Sequence, residues 1–377
     1  MHSSKKVLIT GILGQDGANM AEYLLSFDFL ETHPRDDQRN MQVYGMMRRS
    51  ANPNFENIEN FKDNPNFKLV YGDLTDEVSI NNLVKDIQPD YFINFAANSF
   101  VGCSWDMPMQ VFDVNALGVL RCLEAVKKYK FDCRFYSAGS SEEFGDIDYS
   151  PQDLKHPIKP RSPYGASKAT ARHLVKVYRE SYDMYAVHSI LFNHEGTRRG
   201  EEFVTRKITK GVARIRRALE INKALVLNPL PIKPMELGNL NAKRDWSDSE
   251  DFVKGIWLML NREKPKDYLL SSGETHEIRE FVYKAFKCAG IEGSFRGSGL
   301  DETFGYEDGG RWLVLAKVNP EFYRPAEVDL LLGDPSLARK ELGWIPEVSF
   351  DNLIKSMVDW DIELLQNEKL TRSQRQT

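Results

Sequence analysis

At 377 residues, with 41% hydrophobic and 28% charged side chains, the chain has a globular composition and enough material to divide its core between two lobes. A net charge of −5 and a pI near 5.9 speak against nucleic acid or an anionic membrane surface as partner, so any bound anion must be held locally. Cys103, Cys122, Cys133 and Cys288 form no CxxC pair, no apolar stretch approaches the ~20 residues of a membrane span, and MHSSKKVLIT lacks an apolar signal core; a cytoplasmic location is expected.

In chain order, apolar β-rich runs at 6–10, 42–47, 68–72, 91–96, 134–138 and 185–192 alternate with helical periodicity at 18–29, 78–87, 111–128 and 164–182. That alternation predicts an α/β fold, a Rossmann-type doubly wound parallel sheet. After Asn193 the rhythm breaks into Pro-interrupted and Gly-rich stretches, which predicts a smaller α+β lobe of shorter elements; the polar tail after Leu370 is expected to be disordered.

The first predicted strand runs into Gly11-Ile12-Leu13-Gly14-Gln15-Asp16-Gly17 and then a helix. Glycines at this place allow a sharp turn, close approach of a pyrophosphate and tight helix packing, while the helix N-terminus offers free N–H donors; dinucleotide binding is expected. The second strand ends on Arg48-Arg49-Ser50, where an NAD site usually carries a carboxylate, so guanidinium groups there point to the 2′-phosphate of NADP. Asp73, after the third strand, has two evenly matched readings: acceptor for the adenine amino group, or turn and cap residue. Ala96, at the end of the fourth strand, is small enough for the cofactor backbone to lie against it.

The fifth strand ends in Ser140-Ser141-Glu142-Glu143. Hydroxyls and carboxylates at that sheet edge can bridge to a substrate oxygen and move a proton alpha to a new ketone; alternatively the serine caps the turn and one glutamate is solvated. Tyr164 and Lys168 begin the next helix at i,i+4 spacing, after Pro163, and share one face. A lysine cation beside a phenol stabilises phenolate, which makes the pair a base for an alcohol proton. His194-Glu195 does not continue to a second His at 198, so no metal site is expected.

Together ITGILGQDG, RRS, YGDLTD, SPYGASK, LFNHEGTRRGEEFVTRK, LGNLNAKRDW and FYRPAEVDLLLGD resemble the extended short-chain dehydrogenase/reductase superfamily and, within it, the GDP-mannose 4,6-dehydratase family. The resemblance implies oxidation at C4 of a GDP-sugar, elimination of water across C5 and C6, and hydride return to C6. It implies Ser140, Glu142, Tyr164 and Lys168 as catalytic residues, Ser140 standing where the family has Thr. Around NADP it places Gly11, Gly14, Gln15, Asp16, Gly17, Arg48, Asp73, Leu74, Ala96, Ser99, Tyr164, Lys168 and His194. Around the GDP-sugar it places Asn193, Thr205, Arg206, Lys207, Arg244, Tyr323, Arg324 and Glu327. By the same resemblance, residues 1–193 with about 234–258 form the NADP-binding domain, 194–233 with 259–377 form the nucleotide-sugar lobe, and the assembly is a homodimer or homotetramer. Another GDP-sugar such as GDP-manno-heptose, a 4-epimerase, and a non-catalytic NADP-binding protein remain as alternatives. The chain departs from the family pattern at Phe100 and in extra segments near 28–40, 219–231 and 297–318.

Overall fold

Val7 and Ile9 are fully buried in one apolar cluster and Leu8, between them, in another. Successive side chains of a strand point to opposite faces, so this sheet is covered on both sides. The computed structural model describes residues 4–26, 29, 41–225, 231–322 and 330–374. The chain divides into two compact units, one of Met1–His194, Ser247–Glu274 and Leu332–Glu347, the other of Glu195–Trp246, Thr275–Leu331 and Val348–Thr377.

The first unit is built on a parallel sheet. Strands β1 (Lys5–Thr10), β2 (Met41–Met47), β3 (Phe67–Tyr71), β4 (Tyr91–Asn94), β5 (Arg134–Ala138) and β6 (Ala186–Leu191) match the six expected runs. A seventh, Tyr268–Leu270, pairs with β6 and was not expected; three residues are too few to carry a periodic signal. The order is Tyr268–Leu270, β6, β5, β4, β1, β2, β3, so the strand order reverses between β1 and β4. Helices Gln15–Leu25 and Ser249–Leu260 cover one face, and Glu77–Ile87, Gly118–Tyr129 and Pro163–Tyr182 the other. The strand at β4 stops at Asn94 rather than 96 because the Ala96 N–H leaves the ladder and donates to Thr10 Oγ1 at 3.0 Å.

The expected division shifts in three places. Residues 234–246 belong to the second unit, while 259–274 and 332–347 belong to the first. The second unit is also not made of short elements alone. Helices Val204–Ala224 and Phe350–Gln374 run 21 and 25 residues. The first buries Ile208, Val212 and Ile215, whose three- and four-residue spacing a high density of Arg and Lys had obscured. The second continues to Gln374, past the point at which disorder was expected. In the segment 297–318 the chain forms a hairpin, Thr303–Asp308 with Arg311–Val318, inside a four-stranded sheet.

Phe92 and Phe135 meet edge to face at 5.4 Å on β4 and β5, both fully buried. Phe135→Ala is expected to cost about 3–5 kcal/mol, measured by denaturant unfolding of the first unit; a cost below about 1 kcal/mol would contradict this packing.

Candidate active site

The glycine turn is shaped by contacts that leave no room for side chains. Gly11 has φ +69°, and a Cβ there would lie 2.9 Å from the Ala96 nitrogen; one on Gly17 would lie 2.4 Å from the Gly11 oxygen. Thr10 fixes the arrangement by donating to Asn94 Oδ1 at 2.7 Å while accepting from Ala96. Helix Gln15–Leu25 therefore starts with its N–H groups at the sheet edge beside the switch in strand order, where α/β folds bind phosphates. His194 Nε2 lies 3.0 Å from Asp16 Oδ2 and Nδ1 2.8 Å from the Phe192 oxygen. Both ring nitrogens thus face acceptors, which holds the imidazole between the Phe192 carbonyl and the Asp16 carboxylate. Gln15 Nε2 donates to the His194 oxygen at 3.1 Å.

Arg48 and Arg49 are exposed just beyond β2. Asp73 Oδ1 accepts from the Thr75 N–H at 2.9 Å and its hydroxyl at 2.8 Å, so the turn reading of Asp73 is realised. Leu74 is corrected as a side-chain contact: it is buried in the core against Gly118, and its carbonyl accepts from Arg121. Ser99 is exposed.

Ser162 caps helix Pro163–Tyr182 by accepting from the Gly165 N–H at 3.0 Å, with Pro163 in the first turn. This sets Tyr164 and Lys168 on one buried face. Lys168 Nζ donates to the Ala138 oxygen at the end of β5 at 2.6 Å and lies 5.9 Å from the Tyr164 ring centre. Burial lowers the Lys168 ammonium to about 8, against the opposing pull of Glu143 and Asp16. After β5, Ser140 Oγ accepts from the Glu142 N–H at 3.2 Å, which leaves the hydroxyl proton for another acceptor. Gly165 brings the two segments together, since a Cβ there would sit 2.5 Å from the Glu142 oxygen.

Two parts of this arrangement escaped the sequence reading. Asn115 lies in a π-turn, Asp113–Leu117, within the helix preceding β5. It accepts from the Asn98 N–H at 2.9 Å and donates to the Asn98 oxygen at 3.2 Å and Ser167 Oγ at 3.1 Å, joining the β4 loop to the Tyr164 helix. Glu143, the second glutamate, is fully buried rather than solvated, and the capping role expected of Ser140 is present as well. Nothing in local periodicity marks either residue.

Of the residues assigned to the nucleotide sugar, Asn193 has a buried Oδ1 without a partner among the described residues. In the second unit Thr205 is fully buried and donates to Glu195 Oε2 at 2.5 Å, so its side chain braces the interior and is not presented to a ligand. Arg206 is likewise internal, bound to the Thr197 oxygen and at 2.9 Å to Asp361. Lys207 Nζ stands 3.6 Å over the Phe322 ring and partial burial lowers its pKa. Arg244 ends strand Lys243–Arg244, largely buried. Tyr323, Arg324 and Glu327 lie outside the described residues. Among the described residues no group of three His, Cys, Asp or Glu side chains is placed to hold a metal ion, and no helix is long and apolar enough to cross a membrane.

The sequence model of a family described as GDP-mannose 4,6 dehydratase matches residues 8–357. The chain belongs to the GDP-mannose 4,6-dehydratase family. A Drosophila melanogaster member of that name is 41% identical over 97% of this chain and 88% of its own length. Among solved structures, a dTDP-glucose 4,6-dehydratase from Streptomyces venezuelae, with NAD bound, has a TM-score of 0.75 at 20% identity, covering 95% of this chain and 97% of its own. The RMD protein of Pseudomonas aeruginosa, complexed with NADPH, has a TM-score of 0.70 at 19% identity over 96% and 100%. These last two likenesses concern the fold alone.

Lys168 also links the site to stability. The unfolded lysine keeps its proton up to its ordinary 10.5 and the folded one only to about 8, so between those values the unfolded chain binds more protons and stability rises with pH. Lys168→Met is expected to flatten that rise relative to the unsubstituted protein in denaturant titrations across the window. Identical pH slopes would contradict the burial of a charged Lys168.

Proposed function

We propose that the chain is an NADP-dependent lyase that converts GDP-mannose to GDP-4-keto-6-deoxy-mannose. The observation that carries this reading is the packing of the Ser140–Glu142 turn on the start of the Tyr164 helix, with the Glu142 backbone oxygen against Gly165 and Lys168 Nζ bonded to the Ala138 oxygen. The glycine cradle, with no room for a Cβ at Gly11 or Gly17, fits a dinucleotide pyrophosphate, and Gly14, Gln15 and Ala96 line its rim. Arg48, exposed and without a competing carboxylate at the end of β2, is suited to the 2′-phosphate that distinguishes NADP. When bound, the nicotinamide supplies reversible hydride acceptance.

The chain's own groups supply the proton movements. Tyr164, as phenolate stabilised by the Lys168 cation, takes the proton from the C4 hydroxyl. Ser140 donates to the same substrate oxygen, because its own oxygen already accepts from Glu142 N–H. Once C4 is a ketone, the C5 proton is acidic and Glu142 removes it. The same carboxyl then protonates the C6 hydroxyl, which leaves as water as the C5–C6 double bond forms. Simple dehydrogenation needs no such carboxylate, which favours dehydration over 4-epimerisation. In the second unit, Lys207 and Arg244 are the candidates for the diphosphate of GDP. A homodimer is part of the reading, supported by exposed Met109, Phe112 and Leu117 along one helix and Val177 and Tyr182 on another.

Glu142→Gln is expected to lower formation of dehydrated product by roughly 100-fold or more while NADP affinity stays within about twofold; undiminished product would remove Glu142 from this role. Arg48→Glu is expected to weaken NADP by at least about tenfold more than NAD in fluorescence titrations; equal losses would assign cofactor choice elsewhere.

A further inference from the structure

Behind the Ser140–Glu142 turn, Glu143 and His188 form a pair with no exposure of either side chain. Glu143 Oε1 accepts from the Ser140 N–H at 2.9 Å and lies 3.0 Å from His188 Nε2, which therefore carries a proton. His188 is paired with Ser137 across β5 and β6, so its backbone is fixed by the sheet. The space the pair occupies is made by Gly139: a Cβ there would lie 2.2 Å from His188 Nε2 and 2.5 Å from Glu143 Oε1. Three consecutive residues are thus committed, with the Ala138 oxygen holding Lys168, Gly139 leaving room for the carboxylate, and Ser140 N–H anchored by it.

We propose that Glu143, oriented by His188, is a positioning residue for the dehydration site: its buried carboxylate fixes the turn that presents Ser140 and Glu142 to the Tyr164 helix. A carboxylate out of water is costly unless paired and hydrogen-bonded, and both conditions are met on one oxygen, Oε1, while Oε2 and His188 Nδ1 have no partner among the described residues. A capping box asks only that the glutamate reach back to the N-cap N–H, which does not by itself require full burial. The carboxylate also acts electrostatically on Lys168. Among the described residues, the titratable groups that bear on Lys168 are Tyr164 on its own helix, Glu143, itself paired with His188, behind the β5 edge, and Asp16, itself paired with His194, from the glycine turn. Of these, Glu143 and Asp16 oppose the burial that drives the Lys168 proton off.

The role rests on the dehydratase reading, and two variants test it. Glu143→Gln keeps an oxygen for Ser140 N–H and removes the charge, so Lys168 is expected to lose its proton at lower pH and the alkaline limb of kcat to move down by at least about half a pH unit. A purely structural residue would not move that limb. The double variant E143L/H188L exchanges the pair for apolar groups that a core accepts, so it is expected to fold, bind NADP within about twofold of the wild-type protein and lose kcat by at least about tenfold. In the absence of substrate, its Ser140 amide is expected to exchange with solvent at least about tenfold faster. An unmoved limb in E143Q, or a folded double variant with kcat within about twofold of wild type, overturns the proposal. Wild-type protein that forms no dehydrated product from GDP-mannose overturns the dehydratase reading and this role with it, whereas active wild type with unaffected variants removes Glu143 alone.

Discussion

A lysine ammonium taken out of water must be hydrogen-bonded, and Lys168 meets that demand at the carbonyl of Ala138, the last residue of β5. That bond ties the helix bearing Tyr164 to the sheet edge bearing Ser140 and Glu142, and the neighbouring choices follow from it. Gly165 admits the Glu142 carbonyl and Gly139 admits the Glu143 carboxylate. Asn115 leaves the regular helix pattern in a π-turn so that its amide reaches both Asn98 and Ser167. The base pair is therefore positioned from three directions by groups that are themselves buried.

The charges around the cradle are balanced locally, which suits a chain with an overall negative charge. Asp16 would repel a pyrophosphate, but its carboxylate is engaged by the Gln15 side-chain amide and by the His194 ring. What remains for an anion is the start of helix Gln15–Leu25 and the guanidinium groups beyond β2, both tied to one place in the fold. A broadly basic surface is unnecessary.

The doubly wound sheet was legible because β1 through β6 carry apolar residues on both faces and alternate with clear helical periods. The glycine turn and the Tyr164/Lys168 spacing were legible because their chemistry is local. Contacts between distant positions were not. Glu143 and His188 are 45 residues apart, and nothing in either segment shows that the two side chains meet. Thr205 illustrates the converse: its place in a recognisable motif marked it for substrate, while its burial against Glu195 gives it a bracing role. The seventh strand and the long helix Val204–Ala224 were missed because one is too short and the other too heavily charged for its apolar stripe to stand out.

The central claim is that this site oxidises C4 and eliminates water from the same sugar in one turnover. Its most direct test is mass spectrometry of the product from GDP-mannose carrying deuterium at C4. The account predicts a product lighter by one water with the deuterium at C6. A product of unchanged composition, or dehydration with the deuterium lost to solvent, would contradict it.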